Sequence, residues 1–284
     1  MNEYLSINNK ELNHKLLNHL FVKLNSNHFV PISDLKISNE SNSLFVEFYE
    51  KNKEKQDFFF LKKTDLSSFL INNQQLIKES KSADMAIKVL DQCLGFAFEN
   101  IVEEKFTPAS INLGISLIYS TTNERSPEFL STLFNILLSD GSIAKTTFAR
   151  SLICYGIMKS KSYQSPKNYN DVITASLLCD VGNITNPNDS HPQNSCQILR
   201  DHGVKDHIIE IVKHHHENNN ASGPLRLDTT KIHPLSKILR LSDEIANLKL
   251  PTLIALKKIL LTKENLVDKD LAETFLSGLL KFKN

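Results

Sequence analysis

The sequence has few of the features that mark secreted, membrane-bound or nucleic-acid-binding proteins. It contains only four cysteines, at irregular spacings, whereas a disulfide-stabilised domain needs a dense cysteine framework. No apolar run approaches the ~18 residues of a membrane span, and residues 1–20 lack the apolar stretch of a signal peptide. Lysine and arginine number 33 against 32 acidic residues, so the charge offers little attraction to nucleic acid. These absences predict a cytoplasmic protein with reduced thiols and with neither nucleic acid nor membrane as a partner.

Glycine is also scarce, with eight in 284 residues, which favours long helices with few tight turns. The first 80 residues differ from the rest, because the apolar runs Leu44–Phe48 and Phe58–Leu61 flank a charged stretch and predict a β-hairpin or meander. We therefore predict a small α+β accessory or sensory domain over residues 1–80. Apolar residues at helical spacing follow. They predict a helical connecting region over residues 81–138 and a helical domain over 139–284, so the predicted fold is mainly α.

Histidines provide the strongest chemical signal in the sequence. Seven of the ten lie between positions 191 and 233, and imidazole is the commonest protein ligand for transition metals. We expect His202 and His207 to be ordinary surface or core residues. The run His214–Glu217 is different, because neighbouring histidines on a helix point about 100° apart and share one metal only where the helix ends. The polar segment 218–223 supplies such an end.

Five segments of the C-terminal half resemble, in order, those of the HD-GYP domain family. His214-His-His-Glu, followed by Gly223-Pro, resembles the signature in which His-His-Glu precedes Gly-Tyr-Pro. Cys179-Asp-Val-Gly-Asn resembles the His-Asp-Ile-Gly-Lys motif, and His191-Pro opens a segment like the family's His-Pro helix. Residues 237–248 and 267–275 resemble the helix with the last metal-binding Asp and the closing helix. The resemblance covers residues 139 to 284, about half of the chain.

This resemblance implies an all-α bundle in a bacterial signalling protein, with a metal centre that hydrolyses cyclic di-GMP. Two cations acidify a water molecule and neutralise phosphoryl oxygens, and a carboxylate bridges both of them. By position, Asp180 matches the bridging carboxylate. The positions that match family metal ligands are Asp180, His191, His215, His216 and Asp243, and those that match the ligand loop are Glu217, Gly223 and Pro224.

The sequence departs from the family pattern at several functional positions. Cys179 stands where the first residue of the His-Asp pair belongs, and residues 146–158, where another histidine ligand belongs, contain none. Asn183 replaces a lysine that contacts phosphate, and the signature tyrosine is missing before Pro224. A Cys179 thiolate would be an additional candidate ligand and would favour zinc. We therefore expect one site for divalent iron, manganese or zinc rather than two.

Three hypotheses follow from this pattern of retained and lost residues. In the first, the protein is a degenerate HD-GYP module that no longer hydrolyses efficiently and serves as a regulatory, binding or scaffold module, with cyclic di-GMP or a related cyclic dinucleotide as its ligand and a protein as its partner. In the second, it is a metal-dependent phosphodiesterase with an altered centre, because a metal shell with an open position activates water. In the third, the resemblance extends only to the wider HD superfamily, and the histidines form a surface cluster.

Overall fold

The computed structural model describes residues 4–6, 20–25, 28–31, 51, 59–62, 66–83, 86–87, 89–90, 108–122, 127–140, 143–162, 165–185 and 191–281. The chain forms two compact units, Met1–Phe96 and Ala97–Asn284. The finer division predicted from the sequence, with boundaries at residues 80 and 138, stays a prediction. The predicted fold class is confirmed, since a small α+β unit precedes a helical one.

The first unit combines an antiparallel sheet with a helix. Its strands are β1 (Tyr4–Ser6), β2 (Leu20–Asn25), β3 (His28–Pro31) and β4 (Phe59–Lys62), and helix α1 (Leu66–Glu79) follows them. They pair in the order β1-β4-β2-β3. Leu20 and Val22 lie on one face of β2 and are buried, as alternation along a strand requires. The predicted strand near Phe58 corresponds to β4, whereas Leu44–Phe48 lies outside the described residues.

The described part of the second unit is helical. Its helices are α2 (Pro108–Thr122), α3 (Pro127–Asp140), α4 (Ile143–Ser160), α5 (Pro166–Leu178), α6 (Val181–Thr185), α7 (His191–Asp201), α8 (Asp206–Lys213), α9 (Pro234–Asn247), α10 (Thr252–Thr262) and α11 (Lys269–Lys281). Pro166 and Pro234 each lie in the first turn of their helix, where a missing N–H leaves no hydrogen bond unmade.

Helix α4 is the central element of this unit. It packs against α2, α3, α5, α9 and α11. Because neighbours surround it, consecutive residues from Thr147 to Cys154 are buried, and the helix has no exposed face over this stretch. A charged side chain in the middle of α4 must therefore find its partners inside the protein. Arg150 is such a side chain, with only 2% of its surface exposed.

Candidate metal centre

The turn between α5 and α6 places Asp180 beside the start of α7. The Ser195 hydroxyl on α7 donates to the carbonyl of Cys179 at 2.6 Å and accepts from the Gly182 N–H at 2.9 Å. A Cβ atom at Gly182 would lie 2.6 Å from the carbonyl oxygen of His191, so only glycine allows this approach. The serine and the glycine together fix α7 against the turn and bring His191 next to Asp180.

The three histidines that match family ligands converge, and we call His191, His215 and His216 the histidine cluster. The Nε2 atoms of His191 and His216 are 3.0 Å apart. The Oδ1 atom of Asp180 lies 3.4 Å from Nε2 of His191 and 4.0 Å from Nε2 of His215. One ligand atom from each member of the cluster lies within 4.8 Å of the others. Atoms that bind one ion at about 2.1 Å lie within about 4.2 Å of one another. The ligand atoms of the histidine cluster therefore need to move only slightly closer together to bind the same ion.

His215 has the hydrogen bonding of a metal ligand. Its Nδ1 donates to the carbonyl of Val212 at 2.5 Å, and this bond leaves the lone pair on Nε2. That Nε2 atom is fully buried and has no hydrogen-bond partner. Burial, together with the neighbouring His216 ring, lowers the pKa of His215 well below its usual value. A buried, neutral imidazole with an unused lone pair fits a transition metal.

His216 is also held neutral. Burial lowers its pKa, and the positive potential of His191 and Arg240 acts in the same direction, while the carboxylate of Asp243 opposes them. Neutral imidazoles are the form that binds metals. Among the described residues, the histidine cluster and the Oδ1 oxygen of Asp180 therefore form a candidate metal site, and their role as ligands stays a prediction.

Arg150 occupies the other side of Asp180. Its Nη1 atom donates to Oδ2 of Asp180 at 2.6 Å and to Oδ1 of Asp243 at 3.0 Å, an arrangement that we call the arginine bridge. Its Nη2 atom donates to the carbonyl of Ser176 at 2.9 Å. Burial alone would lower the pKa of Arg150, but the two carboxylates raise it well above its usual range. The guanidinium is therefore a permanent buried cation.

The arginine bridge also determines the charge of Asp180. Burial alone would raise the pKa of this carboxyl, but the Arg150 guanidinium and the hydrogen bond with His191 bring it well below the usual value. Asp180 is thus ionised, with Oδ2 on the guanidinium and Oδ1 facing the histidine cluster. Asp243 completes its own hydrogen bonding through Oδ2, which accepts from Asn247 at 3.0 Å.

Arg150 is not among the site residues that the sequence predicts. Asp180 and Asp243 match family metal ligands, and in the structure both accept hydrogen bonds from one guanidinium nitrogen of Arg150. The signal in the sequence was an arginine within the apolar segment 147–154 of a helix that lacks the expected histidine. An arginine side chain among core residues requires buried anions as partners. Asp180 and Asp243, at positions that match family motifs, were available to pair with it.

Cys179 is adjacent to the metal site but has the environment of a thiol. It is fully buried, and its Sγ atom lies 3.6 Å from the carbonyl oxygen of Ser176, to which it donates. Burial raises the pKa of the Cys179 thiol well above 9.0, although the Arg150 guanidinium opposes that shift. The ligand atoms of Cys179, Asp180 and His215 lie within 4.8 Å of one another. Its role as a ligand stays a prediction.

Glu217, the acidic residue of the predicted ligand loop, organises the backbone after α8. Its two carboxylate oxygens accept from the N–H groups of Leu225 at 2.7 Å and Leu227 at 2.9 Å. A Cβ atom at Gly223 would lie 2.7 Å from Cα of Glu217, so the loop closes over this glycine. Pro224 is exposed beside it. Glu217 is buried and both of its oxygens are occupied, so it shapes the loop rather than facing the histidine cluster.

Four further histidines of the described segment 191–281 lie outside the histidine cluster. His202 is exposed, and His207 pairs with Asp171 at 3.2 Å. His233 caps α9 by accepting from the N–H of Leu235, and His214 accepts from the N–H of His233. The surface position of His202 and the pairing of His207 with Asp171 are what ordinary surface or core residues would show, and their lack of a site role stays a prediction.

Comparisons with known proteins agree with this architecture. Residues 148–248, which include every residue of the histidine cluster and the arginine bridge, match the HD domain family model. This segment of the chain is therefore similar to an HD domain. The solved structure of Bd1817, an HDG"Y"P protein from Bdellovibrio bacteriovorus, is similar to 98% of this chain over 99% of its own length. The TM-score is 0.68 at 16% identity, so this chain shares the fold of that protein. No curated protein matches the sequence.

These comparisons confirm the resemblance at the level of the HD domain and the fold. In the described part of the chain, no helix is both long and apolar enough to cross a membrane. The cytoplasmic location predicted from the sequence stays a prediction.

Proposed function

We propose that this protein is an HD-GYP-type signalling protein that binds cyclic di-GMP, or a related cyclic dinucleotide, without efficient hydrolysis. The arginine bridge carries this proposal. Hydrolysis by two cations requires open coordination positions for a water molecule and for phosphoryl oxygens. The Arg150 guanidinium places a positive charge beside the two carboxylates, as a metal ion would. Unlike a metal ion, it has no coordination position for a water molecule or a phosphoryl oxygen. Its Nη1 atom already donates to Asp180 and Asp243, and its Nη2 atom donates to the Ser176 carbonyl, while the buried Nε atom has no hydrogen-bond partner.

The groups available to hold phosphate support the same proposal. Asn183, where the family places a lysine, is exposed and uncharged. Two arginines lie among the buried residues that the structure describes, and carboxylates engage both. Arg150 forms the arginine bridge, and Arg240 pairs with Glu244 at 2.6 Å. A site without a spare cation stabilises a charged phosphoryl transition state poorly. In this proposal the bound dinucleotide acts as a signal that reaches a protein partner.

Binding and turnover need to be measured on the same sample of full-length, tag-free protein. We expect calorimetry to detect cyclic di-GMP binding, and chromatography to detect no linear dinucleotide product with added Mn²⁺. Rapid, Mn²⁺-dependent hydrolysis would contradict the proposal, and so would the absence of binding to cyclic di-GMP and to related cyclic dinucleotides.

A second candidate is a metal-dependent phosphodiesterase that works with one ion. The unpartnered Nε2 atom of buried His215, aimed at the other imidazoles, favours it. The histidine cluster and Asp180 would hold iron, manganese or zinc, and the ion would supply a Lewis acid for the phosphoryl group. Any turnover should then disappear in His216→Ala and persist in His202→Ala, which removes an exposed histidine outside the cluster. Equal turnover in both variants would exclude this candidate.

A further inference from the structure

The position of one nitrogen atom decides how many ions this centre can hold. Nη1 of Arg150 lies within hydrogen-bonding distance of Oδ2 of Asp180 and of Oδ1 of Asp243, at 2.6 and 3.0 Å. An ion shared by these oxygens would lie about 2.1 Å from each of them, in the space that Nη1 fills. The guanidinium and a second ion therefore exclude each other.

Arg150 is also anchored, so it cannot easily move aside for an ion. Nη2 donates to the carbonyl of Ser176 on α5, and the surrounding helices bury the side chain to 2% exposure. A guanidinium is always charged and presents its N–H groups in a fixed fork, so it neutralises two carboxylates without solvent. Moving it out would leave two aspartates unpaired and place a charge among apolar residues.

Asp180 divides its two oxygens between two kinds of cation. Oδ2 accepts from Arg150, whereas Oδ1 faces the imidazoles of His191 and His215. We propose that Arg150 is the permanent second cation of this centre, built into the chain in place of a metal ion. This centre then binds one transition metal ion, at the histidine cluster, and no second ion. This inference goes beyond the proposed function, because it concerns the number of ions and holds whether or not a dinucleotide binds.

Metal analysis of full-length, tag-free protein tests this inference. The protein is stripped of metal with a chelator, reloaded with Mn²⁺ or Zn²⁺ and desalted. The bound metal per chain is then measured by inductively coupled plasma mass spectrometry. We expect about one equivalent per chain in the wild type, and its loss in His216→Ala. We expect Asp243→Asn to keep that equivalent, because Asp243 belongs to the arginine bridge. Two equivalents in the wild type, or loss of the ion in Asp243→Asn, would overturn the inference.

The converse experiment opens the second position. In Arg150→His, an imidazole plus a metal–nitrogen bond of about 2.1 Å reaches about as far from α4 as the guanidinium does. We expect this variant to bind about two equivalents and to gain thermal stability on metal addition, since the second ion would neutralise both carboxylates. Arg150→Lys keeps a cation and should stay at about one equivalent. A folded Arg150→His that binds a single ion would refute the inference, as would two ions in Arg150→Lys. If Arg150→His does not fold, the counts for the wild type, Asp243→Asn and Arg150→Lys still decide.

The outcome is separable from that of the proposed function. Rapid hydrolysis of cyclic di-GMP by a wild-type protein holding one ion would refute the proposed function and leave this inference intact. Two ions in a protein that binds the dinucleotide without turnover would do the reverse.

Discussion

Replacing Arg150 with methionine should destabilise the metal-free protein strongly, because it removes the cation between two carboxylates. The side chains of Asp180 and Asp243 are 26% and 7% exposed. Charges about 5 Å apart repel by about 3 kcal/mol at an effective dielectric constant near 20. Removal of one partner from a buried ion pair usually costs about 3–5 kcal/mol. We therefore expect Arg150→Met to lower the free energy of unfolding by about 4 kcal/mol at neutral pH.

Urea unfolding followed by far-ultraviolet circular dichroism, in the presence of a chelator, measures this loss. Methionine keeps much of the side-chain volume, so the loss reports charge rather than a cavity. A matched control adds Asp180→Asn and Asp243→Asn to Arg150→Met, and should recover at least half of the loss by removing the repulsion. A loss below about 1 kcal/mol in Arg150→Met would refute the reasoning. It would also fail if the triple variant were no more stable than Arg150→Met alone.

Two further predictions concern the loop and the ion pair beyond the cluster. Burial alone would raise the pKa of Glu244, but Lys263 and Arg240 lower it overall. Its ionised form therefore adds stability that is fully present above the ordinary pKa of 4.5 and is lost as pH falls through the lower folded value. Glu244→Gln should lower the free energy of unfolding by about 1–2 kcal/mol at neutral pH. In urea unfolding, the difference between wild type and variant should shrink as the pH is lowered. A difference that stays constant with pH would exclude an ionic cause. Gly223→Ala should lower the free energy of unfolding by about 1–3 kcal/mol in a thermal or urea unfolding assay. The reason is that the new Cβ atom would lie 2.7 Å from the backbone of Glu217. Unchanged stability would show that the loop rearranges to accommodate the new Cβ atom.

The parts of the fold that the sequence predicts are those with a local physical cause. Pro234 starts α9, because a proline in the first turn of a helix leaves no hydrogen bond unmade. The segment 267–275, which resembles the family's closing helix, overlaps α11. The end of α8 at Lys213 explains how His215 and His216 both reach one cluster, since the chain leaves the helix there. Motif order then made the approach of His191 foreseeable, although no single spacing required it.

The arginine bridge could not be predicted in this way, because its partners are distant in sequence. Arg150 lies 30 residues from Asp180 and 93 from Asp243. No local periodicity relates these three positions, and a side chain as long as arginine reaches many candidate partners. The bridge depends on the packing of α4 against α5 and α9, which the helical pattern alone does not determine. Only the burial of α4 on all sides shows that Arg150 cannot reach water.

The bridge also changes what the two retained aspartates mean. In a two-metal centre, Asp180 and Asp243 would be retained as ligands, and their presence would argue for catalysis. In this protein Arg150 needs both carboxylates, because a buried guanidinium without anions would be more costly than either aspartate alone. The two aspartates therefore show only that a cation is needed between them, and either a metal ion or an arginine can be that cation. The neutral, unpartnered Nε2 atom of His215 has no such second explanation. The argument that this centre still binds an ion consequently depends on the imidazoles and not on the carboxylates.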